Sequence, residues 1–186
     1  MKKLVSIGLL ELNSVAKGIE ACDTVLKRSD INLINAYPVC PGKYIILIYG
    51  DVAAVESAID AGTATAGANF VDRVVLPRVH EQILPAILGT NKIENINAVG
   101  ILETFSVAST IIAADTSVKA SKVEMIEIRL AKGLGGKSFY TLTGTVANVR
   151  SAIEAGANII AKEGILVNKV IIADPHKDLK KELLKW

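Results

Sequence analysis

Cys40, set between Val39 and Pro41 in the run Val39-Cys40-Pro41-Gly42-Lys43, is the residue best equipped for chemistry. A thiolate is a nucleophile and a soft metal ligand, and the adjoining proline fixes the direction in which a short turn presents it. One thiol does not make a metal site. The second cysteine, Cys22, has no CxxC spacing to the first, which argues against a disulfide framework and rules out a four-cysteine site within one chain. Any cluster on Cys40 therefore needs several subunits. Cys22 lies on a helical apolar stripe, where a cysteine behaves as a small hydrophobe.

Three other groups of residues invite a chemical reading and do not sustain it. Ala131-Lys132-Gly133-Leu134-Gly135-Gly136-Lys137-Ser138 is close to a phosphate-binding loop. Such a loop must open a helix so that its N–H groups converge on phosphate, whereas Phe139-Tyr140-Thr141-Leu142-Thr143 reads as a strand. His80 and His176 have no chain-local carboxylates at ligand spacing and read as structural. Glu11 and Glu103 fall at strand ends, with solvent or turn contacts expected.

The elements that position these residues come as a duplication. Ile7-Gly8-Leu9-Leu10-Glu11 returns as Val99-Gly100-Ile101-Leu102-Glu103, and the register continues with Asp23 on Asp115, Lys27 on Lys119, Gly42-Lys43 on Gly136-Lys137 and His80 on His176. Two copies of one unit are expected, residues 1–92 and 93–186, joined through Gly89-Thr90-Asn91-Lys92. In the first copy Lys3 to Leu12 reads as a strand, and Asn13 or Ser14 caps a helix with an apolar face at Val15, Ile19, Cys22 and Leu26. Ile31 to Val39 and Lys43 to Tyr49 form a hairpin, Asp51 caps a second helix carrying Val55 and Ile59, and Val71 to Leu76 is the last strand. The helix from Glu81 to Leu88 closes the copy. The order β-α-β-β-α-β is ferredoxin-like: an α+β fold with helices on one face of an antiparallel sheet and the other face left to solvent or neighbours.

Composition narrows the function classes. The chain has 186 residues, 51% of them hydrophobic and 22% charged, enough for a substantial core. No apolar run reaches the roughly 18 residues of a membrane span. Met1-Lys2-Lys3 before Leu4 to Leu10 looks like a signal start, but Glu11 interrupts it and no cleavage site follows, so a cytoplasmic protein is expected. A net charge of +2, with three Phe, four Tyr and one Trp, gives nucleic acid little to bind. The tail from His176 to Trp186 is basic and amphipathic, a form that could bind a partner helix or a membrane surface, and reads first as a terminal helix packed on its own domain.

Taken in order, Gly8-Leu9-Leu10-Glu11-Leu12, Ser14-Val15-Ala16-Lys17-Gly18, Asp23-Thr24-Val25-Leu26-Lys27, Pro41-Gly42-Lys43 and Leu76-Pro77-Arg78-Val79-His80 resemble the shell domain of bacterial microcompartments, and the second copy repeats them more loosely. The whole chain resembles the tandem-domain shell proteins of that family. The resemblance implies a non-catalytic wall component, a pseudo-hexameric homotrimer that tiles beside other shell proteins. It places Lys27, Lys119 and Arg78 at the lattice edge, with Asp174 standing where copy one has Arg78.

It also places the turn between the second and third strands at the central pore: Val39, Cys40, Pro41, Gly42 and Lys43 from one copy, and Lys132, Gly133, Leu134, Gly135 and Gly136 from the other. The Cys-Pro-Gly-Lys turn is similar to that of a propanediol-utilisation type whose pore holds a [4Fe-4S] cluster. The implied metal ligand is Cys40 from each of three chains, with one cluster per trimer and an encapsulated redox enzyme as a further partner. Two other readings stay open. The same tile could leave its pore free for small polar metabolites, Gly42 and Gly133 to Gly136 setting its width and Lys43 and Lys132 its charge. Alternatively, a duplicated ferredoxin-like fold could bind a regulatory ligand.

Overall fold

The computed structural model describes residues 6–185, so Lys3 to Val5 of the expected first strand, the signal-like start and Trp186 lie outside the described residues. The chain divides into two compact units, Met1–Val79 and His80–Trp186. In the first, β1 (Ser6–Leu12), α1 (Val15–Arg28), β2 (Asn32–Val39), β3 (Lys43–Gly50), α2 (Val52–Ala66) and β4 (Phe70–Pro77) follow one another in the expected sequence. The sheet runs β2-β3-β1-β4 with every neighbour antiparallel.

The second unit opens with α3 (Ile83–Leu88) and repeats the pattern as β5 (Ala98–Thr104), α4 (Val107–Ala120), β6 (Glu124–Leu130), β7 (Ser138–Gly144), α5 (Val146–Ile160) and β8 (Leu166–Ile172), closing with α6 (Lys177–Leu183). Its sheet runs β6-β7-β5-β8. The duplication extends to irregularities. Register shifts fall between Glu11 and Leu12 and between Leu33 and Asn35, and again between Glu103 and Thr104 and between Met125 and Glu127.

Helix starts follow side-chain chemistry. Ser14 accepts from the Lys17 N–H, and its repeat, Ser106, accepts from the Ser109 N–H, each satisfying a donor the first turn cannot. Asp51 occupies the N-cap of α2 without a side-chain cap bond. The face α1 buries differs from the expected stripe. Gly18, Ala21, Cys22 and Val25 are buried, whereas Val15, Ile19 and Leu26 are 36%, 57% and 41% exposed. The helix approaches β3 so closely that a Cβ on Gly18 would stand 2.4 Å from the Tyr44 Cβ. Small residues form the contact face because only they permit that approach, and the larger apolar residues face outward.

Beneath α1 and α2, Leu10, Leu12, Val25, Tyr44, Ile46, Ile48, Val55 and Ile59 form the first core. The opposite face is not left to water along the central strands, since Ile7, Leu9, Ile45 and Leu47 are fully buried. In the second unit, Gly100 lies against Val149 and Ile153 of α5, so alternation turns Val99 and Ile101 to the other face. There they pack with Ile93, Ile96, Ile126 and Leu183 of α6, which gives the amphipathic tail its place on its own unit.

The repeat is expected to divide between 92 and 93; compact packing divides between Val79 and His80. Residues 80–91 make their hydrogen bonds to the second unit. The His80 N–H donates to Asp115 Oδ1 at 2.7 Å, Gln82 bonds the Val123 carbonyl and the Met125 N–H through its amide, and Asn91 Nδ2 donates to the Met125 carbonyl at 2.6 Å. The two amide side chains thereby satisfy backbone groups of Met125 in the edge strand β6 and of Val123 just before it.

Candidate functional site

The first hairpin turn is a tight platform for one thiol. Val39 pairs with Lys43, leaving Cys40, Pro41 and Gly42 as a three-residue exposed tip. The Cys40–Pro41 peptide is cis, and Gly42 has φ 73°, a left-handed backbone that suits glycine. Cys40 is an exposed free thiol. Beside it, Lys43 Nζ reaches Glu11 Oε1 at 2.8 Å, and the Glu11 side chain is only 4% exposed. The ammonium next to the turn is thus held by a buried carboxylate on β1.

The second turn, residues 131–137, is longer and chemically different. Ala131, Gly133, Gly135 and Gly136 all have positive φ, and the segment leads into β7, so no helix N-terminus exists to cradle a phosphate. Lys132 and Gly133 are exposed. A concavity of about 300 Å³ beside this turn is lined by Glu127, Arg129, Lys132, Leu134 and Phe139, and Arg129 Nε donates to the buried Glu127 at 2.6 Å. Lys137 reaches Glu103 at 2.7 Å, with both side chains about a third exposed. This repeats the Lys43–Glu11 pair in a wetter setting.

The expected edge residues sit in two unlike environments. Lys27 pairs with Asp23 at 2.6 Å, both well exposed, whereas Lys119 pairs at 2.5 Å with an Asp115 that is 5% exposed. Arg78 is exposed with φ 51°. His80 and His176 serve their own turns: Nδ1 of each accepts a backbone N–H two residues on, from Gln82 and Asp178, at 3.3 Å. Cys22 lies in the first core, and burial, followed by the charge of Asp23, pushes its thiol pKa up. Among the described residues no group of three or more His, Cys, Asp or Glu could hold a metal ion, so no such set surrounds Cys40 there.

Sequence reasoning missed the two Lys–Glu pairs. Their signal was present: Glu11 and Glu103 are repeats of each other, as are Lys43 and Lys137, so a contact in one copy implies its counterpart.

Two four-stranded sheets of identical order, each with its helices, make this a tandem α+β protein, and its family is established. The chain belongs to the BMC domain family, which matches residues 6–79 and again 98–175. It is 42% identical over 180 residues to the bacterial microcompartment shell protein PduT of Citrobacter freundii, covering 97% of this chain and 98% of that one. It is 29% identical to the carboxysome assembly protein CcmO of Synechococcus elongatus, covering 96% of this chain and 68% of the relative. A crystal structure of a microcompartment protein from Desulfitobacterium hafniense superposes with a TM-score of 0.92 at 51% identity, covering 96% of this chain and 99% of that one. The first of these relatives is a shell protein and the second an assembly protein, not enzymes. Among the described residues no helix is long and apolar enough to cross a membrane.

Proposed function

We propose that this structural shell protein assembles as a homotrimeric tile of a microcompartment wall, and that three Cys40 thiolates meet at its centre to hold one [4Fe-4S] cluster. The observation that carries the reading is the free, exposed Cys40 at the tip of a closed turn, with no metal-holding set of His, Cys, Asp or Glu around it among the described residues. A soft ligand presented alone fits a site completed by symmetry-related copies. Pro41 and Gly42 hold the tip's backbone, while the Val39–Lys43 pairing and the Glu11–Lys43 contact anchor its base. When bound, the cluster supplies one-electron transfer at a potential set by burial and by hydrogen bonds to its sulfurs. Other shell proteins surround the tile, and an enclosed redox enzyme is the natural electron partner.

The test is anaerobic iron and sulfide analysis with absorption spectroscopy and light scattering on wild type and Cys40→Ser. About four irons per wild-type trimer and none in a still-trimeric variant is the expected result. Equal iron in both proteins, or none in either, removes the cluster and leaves Cys40 lining a pore for small polar metabolites.

A further inference from the structure

The two copies present the same contact surface, satisfied in one and open in the other. In the second unit, Asp115 accepts the His80 N–H on one oxygen and Lys119 Nζ on the other. Along the same helix Val107, Ile111 and Val118 are 1%, 0% and 7% exposed, and α3 reaches α4 there. The repeat partner of Asp115 is Asp23. Lys27 occupies its Oδ2, and its Oδ1 has no donor among the described residues. The repeat partners of Val107, Ile111 and Val118 are Val15, Ile19 and Leu26, the outward-facing stripe of α1.

The complementary half lies at the other end of the chain. His176 repeats His80, and its segment takes the same local form: Nδ1 accepts the N–H two residues on, and the preceding residue, Pro175 or Val79, is buried. The His176 N–H has no acceptor among the described residues. The segment carries Lys177, Lys180 and Lys181, and α1 carries the exposed carboxylates of Glu20 and Asp23, each paired with a lysine of its own helix, Lys17 and Lys27.

We infer that residues 174–185 of a second copy of this chain seat on α1 as residues 80–91 seat on the second unit, with His176 of that copy donating its N–H to Asp23 and its exposed Leu179 and Leu184 covering Val15, Ile19 and Leu26, while Leu183 keeps its place on its own unit. The contact is head-to-tail, so it propagates from copy to copy until the ring closes. The inference rests on the trimer reading and assigns its intersubunit surface. A trimer contains three contacts of the kind seen at Asp115 and three at Asp23. The latter are weaker, because Asp178 stands where Gln82 does, and a carboxylate can accept an N–H but cannot donate to a carbonyl.

Light scattering combined with amide hydrogen exchange on the full chain tests this. In wild type, a trimer is expected, with the His176 amide slowed relative to an unstructured peptide. Asp23→Ala, at an exposed position, should restore fast exchange there and raise the concentration at which the trimer dissociates by about tenfold or more. Ile19→Asp should give monomers with an unchanged circular dichroism spectrum. A trimer whose His176 amide exchanges freely, or one indifferent to both substitutions, overturns the assigned contact while leaving trimerisation intact. A monomeric wild type overturns the trimer reading itself.

Discussion

Glu11 and Lys43 form a 2.8 Å ion pair at the base of the Cys40 turn, with the carboxylate 4% exposed and the ammonium 26% exposed. Their repeats, Glu103 and Lys137, are 2.7 Å apart but 30% and 39% exposed. The same contact therefore has two strengths. Removing one partner of a buried pair strands a charge that water no longer reaches, whereas a hydrated pair contributes about 0 to 1 kcal/mol. Lys43→Ala is expected to cost about 3 kcal/mol, and Lys137→Ala no more than about 1 kcal/mol. Urea unfolding of both variants measures the difference, and equal losses would contradict the burial argument.

Gly18→Ala adds one carbon where Tyr44 already stands, 2.4 Å from the new atom. Neither α1 nor β3 can yield without disturbing Cys22, Val25 and Ile46 in the same core. A loss of about 1 to 3 kcal/mol is expected, despite alanine's better helix propensity. A thermal midpoint equal to or above wild type would show that the helix has room to move.

The topology was legible because each copy carries its own punctuation: Ser14 and Ser106 at helix starts, Pro41-Gly42 at a hairpin, and period-two runs between them. The duplication then gave every reading a second test. The buried face of α1 was not legible. Hydrophobicity favours Val15, Ile19 and Leu26, whereas helix-to-sheet distance is set by Gly18 and Ala21, whose role is to be small. The role of residues 80–91 was also hidden, since chain order assigns them to the first copy while Gln82 and Asn91 bond the edge strand of the second. For the site, the sequence supplied Cys40 and its turn but not the carboxylate beneath Lys43, which adjoins it only through strand pairing.

Tyr140 predicts a response to alkali. Its ring is fully buried. Ser117 Oγ donates to the Ala152 carbonyl at 2.8 Å, so the tyrosine hydroxyl supplies the proton in their 2.7 Å contact. Burial pushes the phenol pKa well above its ordinary value of 10.0, only partly opposed by the Ser117 hydrogen bond. Both states are neutral below pH 10, where the stabilisation is complete. Above it the unfolded phenol ionises first, and stability falls as pH rises through the folded value. Tyr37 and Tyr44 are shifted the same way by burial, so Tyr140→Phe should flatten, not abolish, the fall in thermal midpoint between pH 10 and pH 11. A slope identical to wild type would mean that water reaches the ring.

The two cysteines should separate cleanly in a labelling experiment. Cys40 is exposed and Cys22 buried, and burial together with Asp23 raises the Cys22 pKa, which lowers the thiolate fraction available to react. The metal-free native chain is expected to take one equivalent of a thiol reagent rapidly at neutral pH, and a second only in denaturant. Cys40→Ser should abolish the fast phase and leave the slow one. Reconstitution with iron and sulfide should then protect the fast thiol in wild type, because a sulfur bound to iron is no longer a free nucleophile. Protection of Cys40 that appears only in the presence of both iron and sulfide marks it as a cluster ligand. Protection by trimerisation alone would instead mean that the turn is simply covered, and would count against the cluster.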